Sequence, residues 1–140
     1  MKRRGASVAQ NRTLSEKLGV KDGCSVVLLG APPGYGPLVV RPGVTARVSR
    51  SLAPEADMIQ LFARHAAELR QAFPRMKASV KPDGAVWVSW PKSSSGLQSD
   101  LTDSVVREIG LANGLVDVKV CSIDDTWSGL KFVRRTPDRR

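Results

Sequence analysis

The chain has few of the residues that most often carry catalysis and metal binding. Its 140 residues include one histidine, His65, and two cysteines, Cys24 and Cys121. A zinc site needs a cluster of His or Cys ligands, and a nucleophilic thiol needs a histidine beside it. Because both cysteines fall in strand-like runs and His65 in a helix-like one, the sequence predicts no metal site and no such pair. The cysteines indicate reduced thiols in a cytoplasmic protein.

Long apolar runs are missing as well, and none approaches the roughly 18 residues that a membrane span needs. The basic start, MKRRGASVAQNRTLSEK, has no apolar stretch behind it and does not have the pattern of a secretory signal. With 41% hydrophobic and 25% charged residues, the composition is that of an ordinary globular protein. The length predicts one domain, placed at 13–134, with disordered basic tails at 1–12 and 135–140.

The positive charge is confined to the ends of the chain. Of the net charge of +9, residues 1–21 contribute +5 and residues 131–140 contribute +4, while the residues between them sum to zero. Basic ends can contact nucleic acid or acidic lipid. A nucleic-acid interface normally spreads its basic residues over one face of a domain, however. Nucleic-acid binding through the tails is therefore only the second alternative function, and no membrane partner is predicted.

Short apolar runs alternate with helix-like segments along the chain. The predicted strands are Cys24–Gly30, Val44–Arg50, Ala56–Ala63, Ala85–Trp90 and a final hairpin, 115–123 and 129–135, joined by a turn at Asp124–Ser128. A short helix ends at Gly19, Pro74 is expected to break a second one into two pieces, and a third runs from an N-cap at Thr102 to Gly114. KPDG at Lys81–Gly84 predicts a reverse turn.

This order of elements predicts a three-layer, Rossmann-like α/β fold whose sheet is mostly parallel and ends in an antiparallel hairpin. In such a sheet, ligands bind at the carboxyl ends of the parallel strands. Three polar loops follow three predicted strands: APPGYGP, PKSSSG and DDTW. We expect them to share one edge of the sheet. The candidate ligand-binding residues there are Gly34, Gly36, Lys92, Ser93, Ser94, Ser95, Asp124 and Asp125.

Each loop has a functional and a structural interpretation. Gly34 and Gly36 allow backbone amides to face an anion, but they also suit a tight turn after a buried strand. Lys92 with its three following serines could hold a phosphate or carboxylate. Alternatively, the serines satisfy the loop backbone and Lys92 pairs with Asp100, Asp124 or Asp125. Asp100 and Asp103 flank a helix start, where carboxylates serve as caps.

Two resemblances add to this pattern. VVLLGAPPGYG, DMIQLFA and VKPDGAVWVSWPK, followed by a terminal hairpin, resemble class I S-adenosylmethionine-dependent methyltransferases. The resemblance implies an antiparallel strand inserted beside parallel ones, and S-adenosylmethionine as the cofactor. The first loop departs from it by lacking Gly-x-Gly, no acid lies near Arg47–Arg50 to hold ribose hydroxyls, and residues 31–57 are few for the usual cofactor half. The sequence thus predicts a reduced methyltransferase-like domain with no resident cofactor.

The second resemblance covers about residues 13–134. The blocks PKSSSGLQSDLT and DDTWSGLKF are similar to those of a small bacterial family, domain of unknown function 3052. This resemblance implies a fold but no established activity. Because three polar loops are expected at one edge and no catalytic set is visible, the sequence predicts a non-catalytic domain that binds a small anionic or nucleotide-like ligand or a protein partner. The alternative is a small transferase-like enzyme that uses Lys92 with Asp124 or Asp125.

Overall fold

The centre of the molecule is a six-stranded sheet, seen in a computed structural model that describes residues 14–39 and 45–135. The strands are β1 (Cys24–Leu29), β2 (Ala46–Ser49), β3 (Ala56–Phe62), β4 (Val80–Pro91), β5 (Leu115–Ser122) and β6 (Trp127–Arg134). Their order is β2-β1-β3-β4-β6-β5, with parallel pairing from β2 to β4 and antiparallel pairing of β6 to both β4 and β5. The predicted fold class is confirmed.

The helices are α1 (Leu14–Leu18), α2 (Gly36–Val39), α3 (Ala66–Ser79) and α4 (Asp103–Ala112), and Ser93–Ser95 forms one 3-10 turn. Helices α3 and α4 cover one face of the sheet, where Leu69, Phe73 and Met76 of α3 are fully buried against it. The other face is covered by α1, α2 and the loops beside them, with Trp87 of β4 at its centre. Burial of both faces explains why the central strands read as continuous apolar runs.

The two crossovers next to β1 differ in what they contain. The connection from β1 to β2 includes α2, whereas the connection from β2 to β3, residues 50–55, has no helix. Strand β5 runs in the direction of β4 because both are antiparallel to β6. The carboxyl ends of β1, β3, β4 and β5 therefore lie at the same edge of the sheet, as expected for the three polar loops.

The prediction that Pro74 divides its helix is wrong. Helix α3 continues through Pro74 from Ala66 to Ser79. A proline inside a helix costs about 3 kcal/mol because it removes one hydrogen bond and crowds the preceding turn. Phe73 and Met76, on either side of Pro74, are both fully buried against the same sheet, while Pro74 itself faces solvent. Tertiary packing of the two half-helices thus outweighs the local penalty.

The predicted reverse turn at Lys81–Gly84 is also wrong, because these residues lie inside β4. Ala56 of β3 pairs with Val80, and Met58 pairs with Ala85, so the intervening residues form an irregularity in the ladder. A Cβ on Gly84 would lie 2.7 Å from the carbonyl oxygen of Asp57. The residues that suggested a turn instead form a bulge, and Gly84 allows the two strands to approach closely. Both are common roles of glycine within a strand.

The cap predictions for α4 are confirmed. Thr102 accepts a hydrogen bond from the amide of Val105 at 3.3 Å, and Gly114 follows the helix with a φ of 85°. The tail predicted at 1–12, residues 136–140 of the tail predicted at 135–140, and the strand start at Val44 lie outside the described residues. Within 14–39 and 45–135, no helix has the length and apolarity to cross a membrane.

Candidate functional site

The three polar loops meet at the carboxyl edge of the sheet. The ring of Tyr35, from the first loop, packs edge-on against Phe62 at the end of β3, with centroids 4.7 Å apart. Phe62 in turn packs against Trp127, which follows the third loop, at 5.1 Å. The amide of Lys92 donates to the carbonyl of Thr126 at 2.7 Å, which joins the second loop to the third. Residues distant in sequence are thus brought together there.

One part of this edge, the closed half, consists of residues 30–36 and the ends of β1 and β3. Gly34 has a φ of 80°, and buried Gly36 begins α2. Gly30 is also constrained, because a Cβ there would lie 2.9 Å from the carbonyl oxygen of Phe62. The glycines therefore serve a tight turn and a close approach of neighbouring segments, consistent with the structural interpretation of this loop.

A buried chain of hydrogen bonds completes the closed half. The hydroxyl of Tyr35, 3% exposed, donates to Oε1 of Gln60 at 2.8 Å, and Nε2 of Gln60 donates to Oγ of Ser89 at 3.0 Å. Burial raises the pKa of the Tyr35 hydroxyl above its ordinary value, and the hydrogen bond to Gln60 only partly opposes this. Gln60 was not anticipated as a core residue, although a glutamine inside an apolar strand is an unusual choice that signals such a partner.

The closed half contains the switch point of the sheet, where the chain leaves β1 towards β2 on one side and β3 follows on the other. Open α/β sheets hold their ligands at this point. Here the rings of Tyr35, Phe62 and Trp127 pack against one another edge to face. The residue that follows β2 is a cation, Arg50, and not an acid. S-adenosylmethionine carries a sulfonium cation and a ribose diol that an acid would hold. The residues present do not fit that group.

The other part of the edge, the open half, consists of residues 90–103, the carboxyl ends of β4 and β5, and the start of β6. It contains a cleft of about 620 Å³, a size typical of small-molecule sites. Its floor is apolar, with Trp90 and Leu101 buried and Val120 more exposed. The polar lining residues are Lys92, Ser93, Ser94, Ser99, Thr102, Asp103 and Ser128. Three of the predicted site residues thus line one concavity.

Lys92 is the one cation among the described residues that line the cleft. Its Nζ donates to Oγ of Ser122 at 2.6 Å. Within the described part of the chain, no carboxylate lies within ion-pair distance of this ammonium, so the structural alternative of a pair with Asp100, Asp124 or Asp125 is wrong. An ammonium group has three donors, and one serine hydroxyl uses one of them. Lys92 therefore keeps positive charge and donor capacity at the cleft.

The serines of this loop divide into two groups. Oγ of Ser95 accepts from the amide of Leu97 at 3.1 Å, and Oγ of Ser99 donates to the carbonyl of Arg64 at 2.7 Å, so both hydroxyls stabilise the loop. Ser93 and Ser94 are exposed, and their hydroxyls have no hydrogen-bond partner among residues 14–39 and 45–135. These two hydroxyls are available to a ligand.

The aspartates near the edge have structural partners. Oδ1 of Asp124 accepts from the amides of Thr126 and Trp127, both at 2.8 Å, which is the geometry of an Asx-type turn. Asp100 caps α3 rather than α4, because its Oδ1 accepts from the amide of Ala66 at 2.7 Å. Asp103 pairs with Arg107 at 2.8 Å. Asp124 is therefore not brought into the cleft with Lys92.

Asp125 and His65 are both exposed. No hydrogen bond or ion pair of the Asp125 carboxylate is found within the described ranges, and Asp125 does not line the cleft. His65 stands at the start of α3, where Glu68 accepts from its backbone amide at 3.0 Å. In the described ranges, no three His, Cys, Asp or Glu side chains cluster closely enough to hold a metal ion.

No family model matches the chain, and no curated protein matches it in sequence. Solved structures match it in fold. A SAM-dependent methyltransferase from Aquifex aeolicus superposes with a TM-score of 0.65 at 13% identity, covering 91% of this chain and 93% of that one. The fold is methyltransferase-like. Membership of domain of unknown function 3052 stays a prediction.

Two further solved structures show how much of each chain the match covers. Magnesium protoporphyrin IX methyltransferase from Synechocystis PCC 6803, solved with bound SAM, has a TM-score of 0.61 at 13% identity, covering 91% of this chain and 81% of its own. The pyocyanin biosynthetic protein PhzM has a TM-score of 0.66 at 14% identity; the match covers 93% of this chain and 56% of PhzM. At these identities the likeness concerns the fold alone.

Proposed function

We propose that this chain is a non-catalytic, methyltransferase-like domain that binds a small anionic ligand in the open half of its carboxyl edge. The observation that carries the proposal is Lys92, a cation at a cleft of about 620 Å³ with one serine hydroxyl as its side-chain partner among the described residues. A phosphate or carboxylate would neutralise this charge. Ser93 and Ser94 would supply hydroxyl donors to the same group.

We propose that the site is non-catalytic because of the contacts that its aspartates make. General acid–base work needs a titratable group within hydrogen-bond reach of the reacting atom. Of the acids near Lys92, Asp124 accepts two backbone amides, and Asp103, which lines the cleft, is held by Arg107. Both carboxylates thus already have a structural partner. A binding or regulatory role therefore needs fewer assumptions than a small transferase.

A thermal-shift screen tests this proposal. Wild-type protein is heated with phosphate, sulfate, nucleotides, S-adenosylmethionine and S-adenosylhomocysteine, each matched in ionic strength with sodium chloride. A ligand present at a hundred times its dissociation constant stabilises the folded state by about 2.7 kcal/mol. We expect at least one anion to stabilise the wild type and to lose its effect in Lys92→Met.

Lys21→Met is the matched control, because it removes one exposed lysine before β1, at the opposite edge of the sheet. The control should respond to the anion as the wild type does. A screen in which nothing stabilises the protein, or in which Lys92→Met responds normally, would contradict the proposal. Consumption of S-adenosylmethionine by the wild type but not by Lys92→Met would instead support the transferase alternative.

A further inference from the structure

The cleft at Lys92 changes from polar to apolar with distance from the edge of the sheet. In one row across the strands, Trp90 of β4 is in register with Ser128 of β6, and Ser128 with Ser122 of β5. This outer row lies near the carboxyl edge, and its Ser122 accepts the hydrogen bond from Lys92. The next row on the same face of the sheet is about 7 Å further from the edge. This inner row has no polar side chain and consists of Val88, Leu130 and Val120.

The polar groups on the helix side of the cleft already have partners. The hydroxyl oxygens of Ser99 and Thr102 accept backbone amides, and Asp103 pairs with an arginine of α4 at 2.8 Å. Within the described ranges, the hydroxyls of the lining that make no hydrogen bond are those of Ser93, Ser94 and Ser128. These serines and Lys92 lie in the outer row or in the loop that follows β4, so the donors available to a ligand are at the outer end of the cleft.

Two exposed apolar side chains line the same cleft. Val120, in the inner row, is 52% exposed, and Leu97, in the loop before α4, is 40% exposed. Single exposed apolar residues are common on protein surfaces. These two instead converge with a cation on one concavity of about 620 Å³. A ligand that covers them removes apolar surface from water, which favours binding.

The charge of the lining limits the anionic part of the ligand. Lys92 is the one cation that lines the cleft among the described residues, and the carboxylate of Asp103 is compensated by Arg107. A single ammonium balances the one charge of a carboxylate, whereas a phosphate monoester carries about −1.5 to −2 charges at neutral pH. A monoanion therefore suits this cleft better than a phosphate.

We propose that the ligand of the Lys92 cleft is a monocarboxylate with a hydrocarbon body. The carboxylate accepts hydrogen bonds from Lys92, Ser93 and Ser94 at the outer end, and the hydrocarbon covers Val120 and Leu97. This inference rests on the proposed function, because it names the ligand class of the same site. It makes inorganic phosphate and nucleotides weaker ligands than an apolar carboxylate.

Titration of the full chain followed by NMR tests the ligand class. The compounds are acetate, butanoate, hexanoate, hexan-1-ol and inorganic phosphate, all at pH 7 and constant ionic strength. We expect the affinity of the carboxylates to rise by up to about fourfold for each methylene that becomes buried. Hexan-1-ol should bind at least about tenfold more weakly than hexanoate, because it cannot form charge-assisted hydrogen bonds with the ammonium.

Variants of the apolar lining separate the hydrocarbon contact from the charge. Val120→Thr keeps the shape of the side chain but replaces a methyl group with a hydroxyl. It should weaken hexanoate binding by about fourfold and leave acetate binding unchanged. Val118→Thr is the matched control, because Val118 is also 52% exposed on β5 but does not line the cleft. Leu97→Ala should likewise weaken hexanoate and not acetate.

The charge is tested by Lys92→Met, which should bind hexanoate no more tightly than hexan-1-ol. A gain with chain length that is reduced in Val120→Thr and Leu97→Ala, but not in Val118→Thr, supports the proposal. If phosphate or acetate binds as tightly as hexanoate and loses its binding in Lys92→Met, the hydrocarbon body is overturned while the proposed function stands. Equal binding of hexanoate and hexan-1-ol by the wild type, or no amide shift with hexanoate, also overturns this proposal.

Discussion

The closed and open halves lie at the same edge of one sheet but differ in how their polar side chains are paired. In the closed half, Tyr35, Gln60 and Ser89 satisfy one another by buried hydrogen bonds. In the open half, Ser93 and Ser94 face solvent and Lys92 uses one serine partner. Polar groups are costly to bury without a partner, so polar side chains that are buried and paired with one another indicate a structural region. Exposed hydrogen-bond donors without a partner in the protein indicate a ligand region. Position at the edge alone does not distinguish the two.

The largest expected effect comes from the centre of the closed half. Phe62 contacts both Tyr35 and Trp127 and is buried. Phe62→Ala should lower the free energy of unfolding by about 3–5 kcal/mol, since it removes a buried ring and leaves a cavity. Urea denaturation measures this directly. Leu97→Ala, at an exposed residue of the open half, is the control; a similar loss there would erase the distinction between the halves.

The buried hydrogen-bond chain should contribute next. Gln60→Met keeps the volume but leaves the Tyr35 hydroxyl and Ser89 without their partner, which costs about 1–3 kcal/mol of unfolding free energy. The triple variant with Tyr35→Phe and Ser89→Ala removes the stranded groups as well. It should be more stable than Gln60→Met alone in equilibrium denaturation. If the triple variant is less stable, the chain does not act as a unit.

Alkaline pH tests the same region, because Tyr35 is the chain's one tyrosine. Its pKa is raised in the folded state by burial, so its contribution to stability is complete below the unfolded pKa of about 10. Above that pH the unfolded state ionises first, and the contribution falls by about 1.4 kcal/mol per pH unit. The tyrosinate absorbance should therefore rise together with loss of structure.

Tyr35→Phe supplies the comparison for that titration. Above pH of about 10 its unfolding free energy should decline less steeply than that of the wild type, because the phenol no longer titrates. Tyrosinate absorbance in a wild-type protein that is still folded would show that Tyr35 is accessible, and the closed half would then not be closed.

The smallest effect is expected in the open half without ligand. Lys92→Met removes one hydrogen bond to Ser122, which is itself exposed. The free energy of unfolding should change by no more than about 0.5 kcal/mol. Denaturation in ligand-free buffer measures the change. A loss of several kcal/mol would make Lys92 a structural residue and remove the main support for a ligand cleft.

Local sequence patterns were sufficient for the fold class and for the position of the loops. Short strand-like runs located at least part of each described strand, and their alternation with helices predicted a mostly parallel sheet that ends in an antiparallel hairpin. Thr102 and Gly114 marked the ends of α4 because caps depend on nearby backbone groups. The wrong predictions, Pro74 and Lys81–Gly84, share a cause: each local preference was overruled by packing on a distant strand or core.

For the site, the sequence by itself determined which polar groups reach the carboxyl edge, because strand direction fixes where each loop emerges. Only the tertiary structure decided how those groups are used. Asp100 caps a helix that begins 34 residues earlier in the chain, and Lys92 reaches a serine 30 residues away. Such partners are set by distances between elements that are remote in sequence, and no local pattern encodes them.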